Sequence, residues 1–145
     1  MAESIHDELD RAITLAIVAH QGQLDKIGQP YILHPLRVML KVPAKARVAA
    51  VLHDAIEDST LTTAALLRAG IGYDSVQAVH LLTRNEKLFP GDQYYTKIRA
   101  NSIALMVKLA DIEDNSDPKR TAWLDDLTRA RLAAKYAHAL EVLNG

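Results

Sequence analysis

The stretch VAAVLHDAIED, residues 48–58, gathers one imidazole and three carboxylates at its end: His53, Asp54, Glu57 and Asp58. These groups ligate divalent cations and move protons near neutral pH. Read as one helix at about 100° per residue, with His53 at zero, Glu57 falls near 40°, Asp54 near 100° and Asp58 near 140°. Val48, Val51, Leu52, Ala55 and Ile56 share the arc from about 160° to about 300°. One face is then core and the other polar, with Ala50 leaving a hollow in the polar face. Three carboxylates so close repel one another, and nothing basic lies within a turn to compensate. A solvated acidic turn is the plain alternative, but acidic residues at a helix C-terminus oppose the helix dipole. A bound cation removes the conflict.

Further donors lie elsewhere in the chain. His34, in YILHP, closes a structured loop at the start of a helix; Asp111, in VKLADIEDN, follows the apolar residues Ile103, Leu105, Met106, Val107 and Leu109. Alone, such a histidine is more often a hydrogen-bonded structural group, and such an aspartate a cap or surface residue. Taken with His53 and Asp54 they form a set of two imidazoles and two carboxylates. That set suits Mn²⁺, Fe²⁺, Zn²⁺ or Mg²⁺ with positions left for water or substrate. The conjunction carries the reading.

Helices must position these donors. Leu9, Ala12, Ile13, Ala16, Ile17 and His20 recur at helical spacing, giving an amphipathic helix that ends near Gly22. His20 continues that stripe and is expected buried and hydrogen-bonded. Gly28, Pro30 and Pro35 mark residues 23–35 as a loop. A short helix over 35–41 and a longer one over 43–58 follow, the latter with Pro43 near its first turn. Residues 61–69 and 72–83 are helical, the second with Val76, Val79 and Leu82 on one side. Residues 84–92 form a polar loop, and 93–114 one or two helices closed before Pro118. The last helix spans about 123–143 and is expected to bury Leu127, Ala130, Ala134, Ala137 and Leu140. No strict alternation marks a strand. The expected fold is all-α, a single helical bundle over residues 1–145.

Composition bounds the function. Lys+Arg is 17 against Asp+Glu 18, a formal net charge of −1, which argues against a broad nucleic-acid or anionic-membrane surface. There is no cysteine, so disulfides, thiolate chemistry and Cys-ligated zinc are excluded. No apolar run approaches the roughly 18 residues of a membrane helix, and MAESIHDELD lacks the order of a signal peptide. The expected location is the cytoplasm.

The ordered pattern His34, His53-Asp54, Asp111 resembles the His/His-Asp/Asp signature of HD-domain phosphohydrolases. The run A-H-x-G-Q-x-x-K-x-G-x-P-Y-I-x-H-P over Ala19–Pro35, the stretch LHDAIED, and VKLAD followed by Asn115 resemble the hydrolase domain of RelA/SpoT-type alarmone enzymes, in particular the small alarmone hydrolases. The likeness covers residues from about 10 to about 120. It implies an HD-domain helical bundle that removes the 3′-pyrophosphate from (p)ppGpp with one divalent metal ion, Mn²⁺ first among them. It implies metal ligands at His34, His53, Asp54 and Asp111, a water-activating pair at Glu57 and Asp58, a nucleotide-side lysine at Lys26 and a ribose contact at Asn115. Two positions depart from the pattern. Asp25 stands where an arginine is usual, and Ile112-Glu113-Asp114 replaces an Arg-Leu-His run. Both fall where nucleotide recognition is expected, and neither touches the metal set. No synthetase segment lies within the sequence, so the expectation is degradation alone.

On this reading Glu57 takes a proton from the attacking water, and Asp58 orients it or serves as acid. Lys26, Arg84 and Lys108 are candidate phosphate partners; Arg84 and Lys108 read equally well as solvated or structural ion pairs. His6, His80 and His138 receive no role. The expected partner is a small phosphorylated nucleotide, with no nucleic acid and no membrane. An adenine alarmone or NADPH is the alternative substrate, and a non-catalytic nucleotide-sensing module the alternative class.

Overall fold

Helical periodicity decides the architecture. The computed structural model describes the backbone of residues 5–57 and 59–145, with side chains from residue 7. Its helices are α1 (Ile5–Ala19), α2 (Leu33–Leu40), α3 (Arg47–Leu52), α4 (Thr63–Arg68), α5 (Tyr73–Leu82), α6 (Gln93–Arg99), α7 (Ser102–Asn115), α8 (Pro118–Thr121) and α9 (Asp126–Asn144). A 3₁₀ turn over Ala44–Ala46 leads into α3. Among the described residues there is no strand, only an isolated antiparallel bridge between Leu24 and Pro30. The fold is all-α, as the patterning indicates. Among the described residues no helix is long and apolar enough to cross a membrane.

The short helix α3 is the hub. Val48, Ala49, Ala50, Val51 and Leu52 are all buried, and α3 packs against α1, α2, α5 and α7. A helix apolar on every side belongs inside a bundle. Helix α7 runs alongside, burying Ala104, Val107, Ala110 and Ile112 against α2, α5 and α6. Starts are set locally: Thr62, Asn101, Asp117 and Asp125 each accept a backbone N–H from the first turn of the following helix. Each such cap stabilises its helix by about 1 kcal/mol. Gly70, at φ +85°, ends α4 in the left-handed region that favours glycine.

Several expectations are corrected. The helix expected over 43–58 stops at Leu52, and residues 53–57 form turns. Its bonds tighten from four residues to three, with His53 N–H on Ala50 O (3.3 Å) and Ala55 N–H on Leu52 O (3.0 Å). The His53 ring also donates from Nδ1 to Ala50 O at 2.6 Å, competing for a carbonyl that helix continuation needs. Ala50 is wholly buried in the core, so it leaves no hollow on a polar face. The second correction is α8, which was not expected; Asp117 caps it, and Pro118 sits where its missing N–H costs nothing. The third is the face of α9. Ala130, Ala134 and Ala137 are exposed and Leu127 is 78% exposed, whereas Ala139 and Leu143 are buried and Tyr136 and Leu140 pack on the core. Alanines on several faces left the helix without a distinctive stripe, and its contacts with α6 and α7 chose the face. In α1, Ile17 is half exposed although it lies on the expected stripe.

Candidate metal centre and its cavity

Four donors from three separate stretches of the chain converge. His34 comes from the first turn of α2, His53 and Asp54 follow α3, and Asp111 lies one turn before the end of α7. Each offers one ligand atom, and these atoms all lie within 4.8 Å of one another. His34 Nε2 is 2.8 Å from Asp111 Oδ1 and 3.7 Å from Asp54 Oδ2. His53 Nε2 is 3.0 Å from Asp54 Oδ2 and 3.3 Å from Asp111 Oδ1.

The surrounding bonds hold each donor in a ligating orientation. His34 donates from Nδ1 to Asp114 Oδ2 at 2.7 Å, and His53 from Nδ1 to Ala50 O. With Nδ1–H engaged, both Nε2 atoms point at the centre, the tautomer a metal-bound histidine needs. Tyr31 Oη donates to Asp54 Oδ2 at 2.5 Å. Asn115 Nδ2 and Lys108 Nζ each lie 3.1 Å from Asp111, on Oδ1 and Oδ2.

Electrostatics give an independent test of fit. Burial alone would lower the pKa of His53, but the Asp54 charge and hydrogen bonds to Asp111 and Asp54 hold it well above its ordinary value. His34 is raised too, against its burial, by Asp111 and Asp114. Burial would raise Asp54, yet the neighbouring His53 brings it down to about 2. Asp111, likewise buried, is held well below the ordinary carboxylate range by Lys108 and the two histidines. The cluster draws in positive charge, and protons on the imidazoles stand where a cation would bind. A divalent cation fits these donors.

The cluster lies in a cavity of about 490 Å³. Of the residues singled out from sequence, Lys26, Glu57, Arg84, Lys108 and Asn115 all line it. Glu57 Oε1 accepts the Arg84 backbone N–H at 2.5 Å. The Arg84 guanidinium bonds Glu86 and lies 4.2 Å from the Tyr94 ring centroid. Lys108, little exposed and paired with Asp111, is a structural partner of the cluster. Asp58 lies outside the described residues. His20 is buried as expected, with Nδ1 2.9 Å from Gln23 Oε1.

The two acidic departures belong to the scaffold. Asp114 is almost wholly buried, where it accepts from His34 Nδ1, from Arg37 Nε at 2.8 Å and from Arg120 Nη1 at 3.0 Å. Burial would raise its pKa, but His34 and Arg37 bring it down to about 2. Asp25 Oδ1 accepts from Ile27 N and Gln29 N, closing its own loop, and Oδ2 from Arg120 Nη2 at 3.3 Å. Sequence reasoning missed Tyr31, Arg120, Lys135 and Tyr136, all of which line the cavity. Tyr31 stood inside the quoted motif run without a role. The others sit in a segment read as core helix or inter-helix loop.

Four ligand-ready donors from three chain segments, in a helical bundle, define an HD-type domain. No protein-family model matches the chain. It is 32% identical over 127 residues, 81% of its own length, to a guanosine-3′,5′-bis(diphosphate) 3′-pyrophosphohydrolase of Aquifex aeolicus, covering 18% of that protein. It is 41% identical over 59 residues to the bifunctional (p)ppGpp synthase/hydrolase SpoT of Escherichia coli K12, covering 37% of this chain and 8% of that protein. The chain thus spans less than a fifth of the length of these curated relatives. Its fold matches a solved structure described as a metazoan ortholog of SpoT that hydrolyzes ppGpp, at TM-score 0.76 and 20% identity, over all of this chain and 89% of that one. The chain belongs with the hydrolase domains of the RelA/SpoT type.

Proposed function

We propose that this chain, working as one domain over residues 1–145, hydrolyses (p)ppGpp at its 3′-pyrophosphate with one divalent ion, Mn²⁺ before others. The observation that carries the reading is the convergence of His34, His53, Asp54 and Asp111 within 4.8 Å in a cavity rimmed by cations. Relatives named as 3′-pyrophosphohydrolases support the substrate. When bound, the cation supplies Lewis-acid polarisation of a phosphoryl oxygen and acidifies a water for attack near neutral pH.

The side chains do the rest. Asp114 and the Ala50 carbonyl fix the two imidazoles, while Tyr31 and Asn115 fix the two carboxylates. Glu57 lines the cavity beside the cluster and takes the proton of the attacking water at its carboxylate, which the Arg84 N–H orients. Asp58 is assigned to orient that water. Lys26 and Asn115 are assigned to the nucleotide, Arg84 to the phosphates, and Lys108 to holding Asp111 ionised. The departures that kept an adenine alarmone or NADPH in view have internal partners, Asp25 on Arg120 and Asp114 on His34, which favours the guanine reading.

A panel of ppGpp, pppGpp, adenine alarmones and NADPH with Mn²⁺, scored for pyrophosphate against phosphate release, tests the proposal. Pyrophosphate release from the guanine alarmones is expected. Phosphate release from NADPH as the dominant activity overturns the substrate. Glu57→Gln should keep the ion and lose about 10²–10⁴-fold in kcat, the span of general base catalysis. Wild-type turnover in that variant would remove Glu57 from the base role.

A further inference from the structure

Five cationic side chains line the cavity: Lys26, Arg84, Lys108, Arg120 and Lys135. Three have carboxylate partners. Arg84 Nη1 is 3.0 Å from Glu86, Lys108 Nζ is 3.1 Å from Asp111, and Arg120 lies 3.0 Å from Asp114 and 3.3 Å from Asp25. Lys26 and Lys135 differ. Among the described residues neither has a carboxylate within 4.0 Å.

Lys135 projects from α9, and its Nζ lies 5.6 Å from the centroid of the Tyr136 ring. Its electrostatic neighbours are mostly of its own sign. Partial burial and then the charges of Lys108, Arg84 and Lys26 lower its pKa, with Asp111 pulling the other way. Like charges that converge on a cavity raise the free energy of the empty protein, and an anion in their midst lowers it. The cavity volume of about 490 Å³ leaves room for a ligand that reaches beyond the cluster.

We propose that Lys135, with Lys26 from the 23–30 loop, forms a second anion subsite that holds a phosphate group of the substrate other than the one attacked. The inference rests on the hydrolase reading and deepens it. The ligand carries two separated anionic groups, one at the His/Asp cluster and one at the lysines. A bis-phosphorylated nucleotide meets that requirement, and a nucleoside bearing one phosphate group does not.

Calorimetric titration with inorganic pyrophosphate in EDTA reads anion binding without the metal ion, and comparing wild type with Lys135→Gln isolates the part that depends on this subsite. Wild-type protein is expected to bind with an affinity that falls as salt is added. Lys135→Gln should bind about tenfold more weakly, and Lys135→Arg should retain most of the affinity. In turnover, Lys135→Gln should raise KM about tenfold while kcat stays within about twofold, the signature of lost uniform binding. Its ligand-free thermal midpoint should equal or exceed that of wild type, since a repelling charge is gone; a lysine with only a structural role would lower it. Equal pyrophosphate affinity in wild type and Lys135→Gln overturns the proposal, as does absence of binding to wild type. Lys135-dependent pyrophosphate binding without guanine alarmone hydrolysis leaves the subsite standing and removes the substrate reading. Hydrolysis with Lys135-independent binding does the reverse.

Discussion

The two sides of the cavity differ in how their charges are answered. The side built by α2, the turn after α3, and α7 holds His34, His53, Asp111 and Asp114 in a buried network. On the side built by α8, α9 and the 23–30 loop, Lys26 and Lys135 are exposed and lack ion partners among the described residues. Trp123, which lines a second hollow with Lys26, is 78% exposed, as is Leu127 on α9. A buried charge network tolerates little change, because removing one member leaves the others desolvated and unpaired. An exposed cationic wall tolerates substitution in the fold and registers it in ligand affinity. On the proposed reading the first side sets where the chemistry happens and the second how the ligand is held.

The sharpest way to break this contrast is at the ligands. His53→Ala should abolish Mn²⁺ retention and turnover together, each by more than about 100-fold, since even partners one shell further out cost 10–100-fold. Electron paramagnetic resonance of Mn²⁺ reads the first and product release the second. Wild-type Mn²⁺ affinity in this variant would detach the cluster from metal binding. Asp114→Asn should follow with about 10–100-fold weaker Mn²⁺ affinity, because the carboxylate that orients His34 is gone. It is the stricter test, as Asp114 stands at a departure from the family pattern. An unchanged Mn²⁺ affinity would reduce Asp114 to a partner of Arg37 and Arg120.

Legibility in the sequence followed the same division. His34, His53, Asp54 and Asp111 were readable because their types have few structural uses in common and their motifs occur in order. Most helices were readable because Gly, Pro and capping residues punctuate them. The end of α3 was not, since residues 53–57 carry no breaker and keep a helical pattern. Only the bond from the His53 ring to Ala50 O and the tightened three-residue bonds reveal the break. His53 and Asp54 thus join the converging donors from a turn and not, as the helical wheel requires, from within a helix. Asp25 and Asp114 looked like changes in nucleotide recognition because their partner Arg120, 95 residues from Asp25, cannot be paired with them by spacing. Lys135 was hidden because a lysine on an exposed helix face has no distinctive signal until a cavity is known beside it.

On the open side the expected effects are smaller. Leu127→Ala should change unfolding free energy by less than about 0.5 kcal/mol, the usual scale for an exposed position. Denaturant unfolding measures it. A loss of about 2 kcal/mol or more, the lower end for a buried leucine, would mean that this half of α9 is covered in solution.

The smallest effect concerns the tether between α9 and the loop before α6. His138 Nε2 lies 2.8 Å from Asp92 Oδ1, both side chains more than half exposed. The hydrogen bond to Asp92, and then its charge, raise the His138 pKa, with Glu141 adding to the attraction. A histidine whose folded pKa is raised binds protons more tightly in the folded chain. The stabilisation is therefore complete below its ordinary value near 6.5 and disappears as pH rises through the folded value. The thermal midpoint of wild type minus that of His138→Gln should be positive at about pH 5.5 and close towards zero by about pH 9. Added salt should shrink the low-pH gap, because the pair is open to solvent. A gap that stays constant or widens with pH would show that His138 contributes by packing near Tyr95, whose ring centroid is 6.4 Å away, and not by its charge.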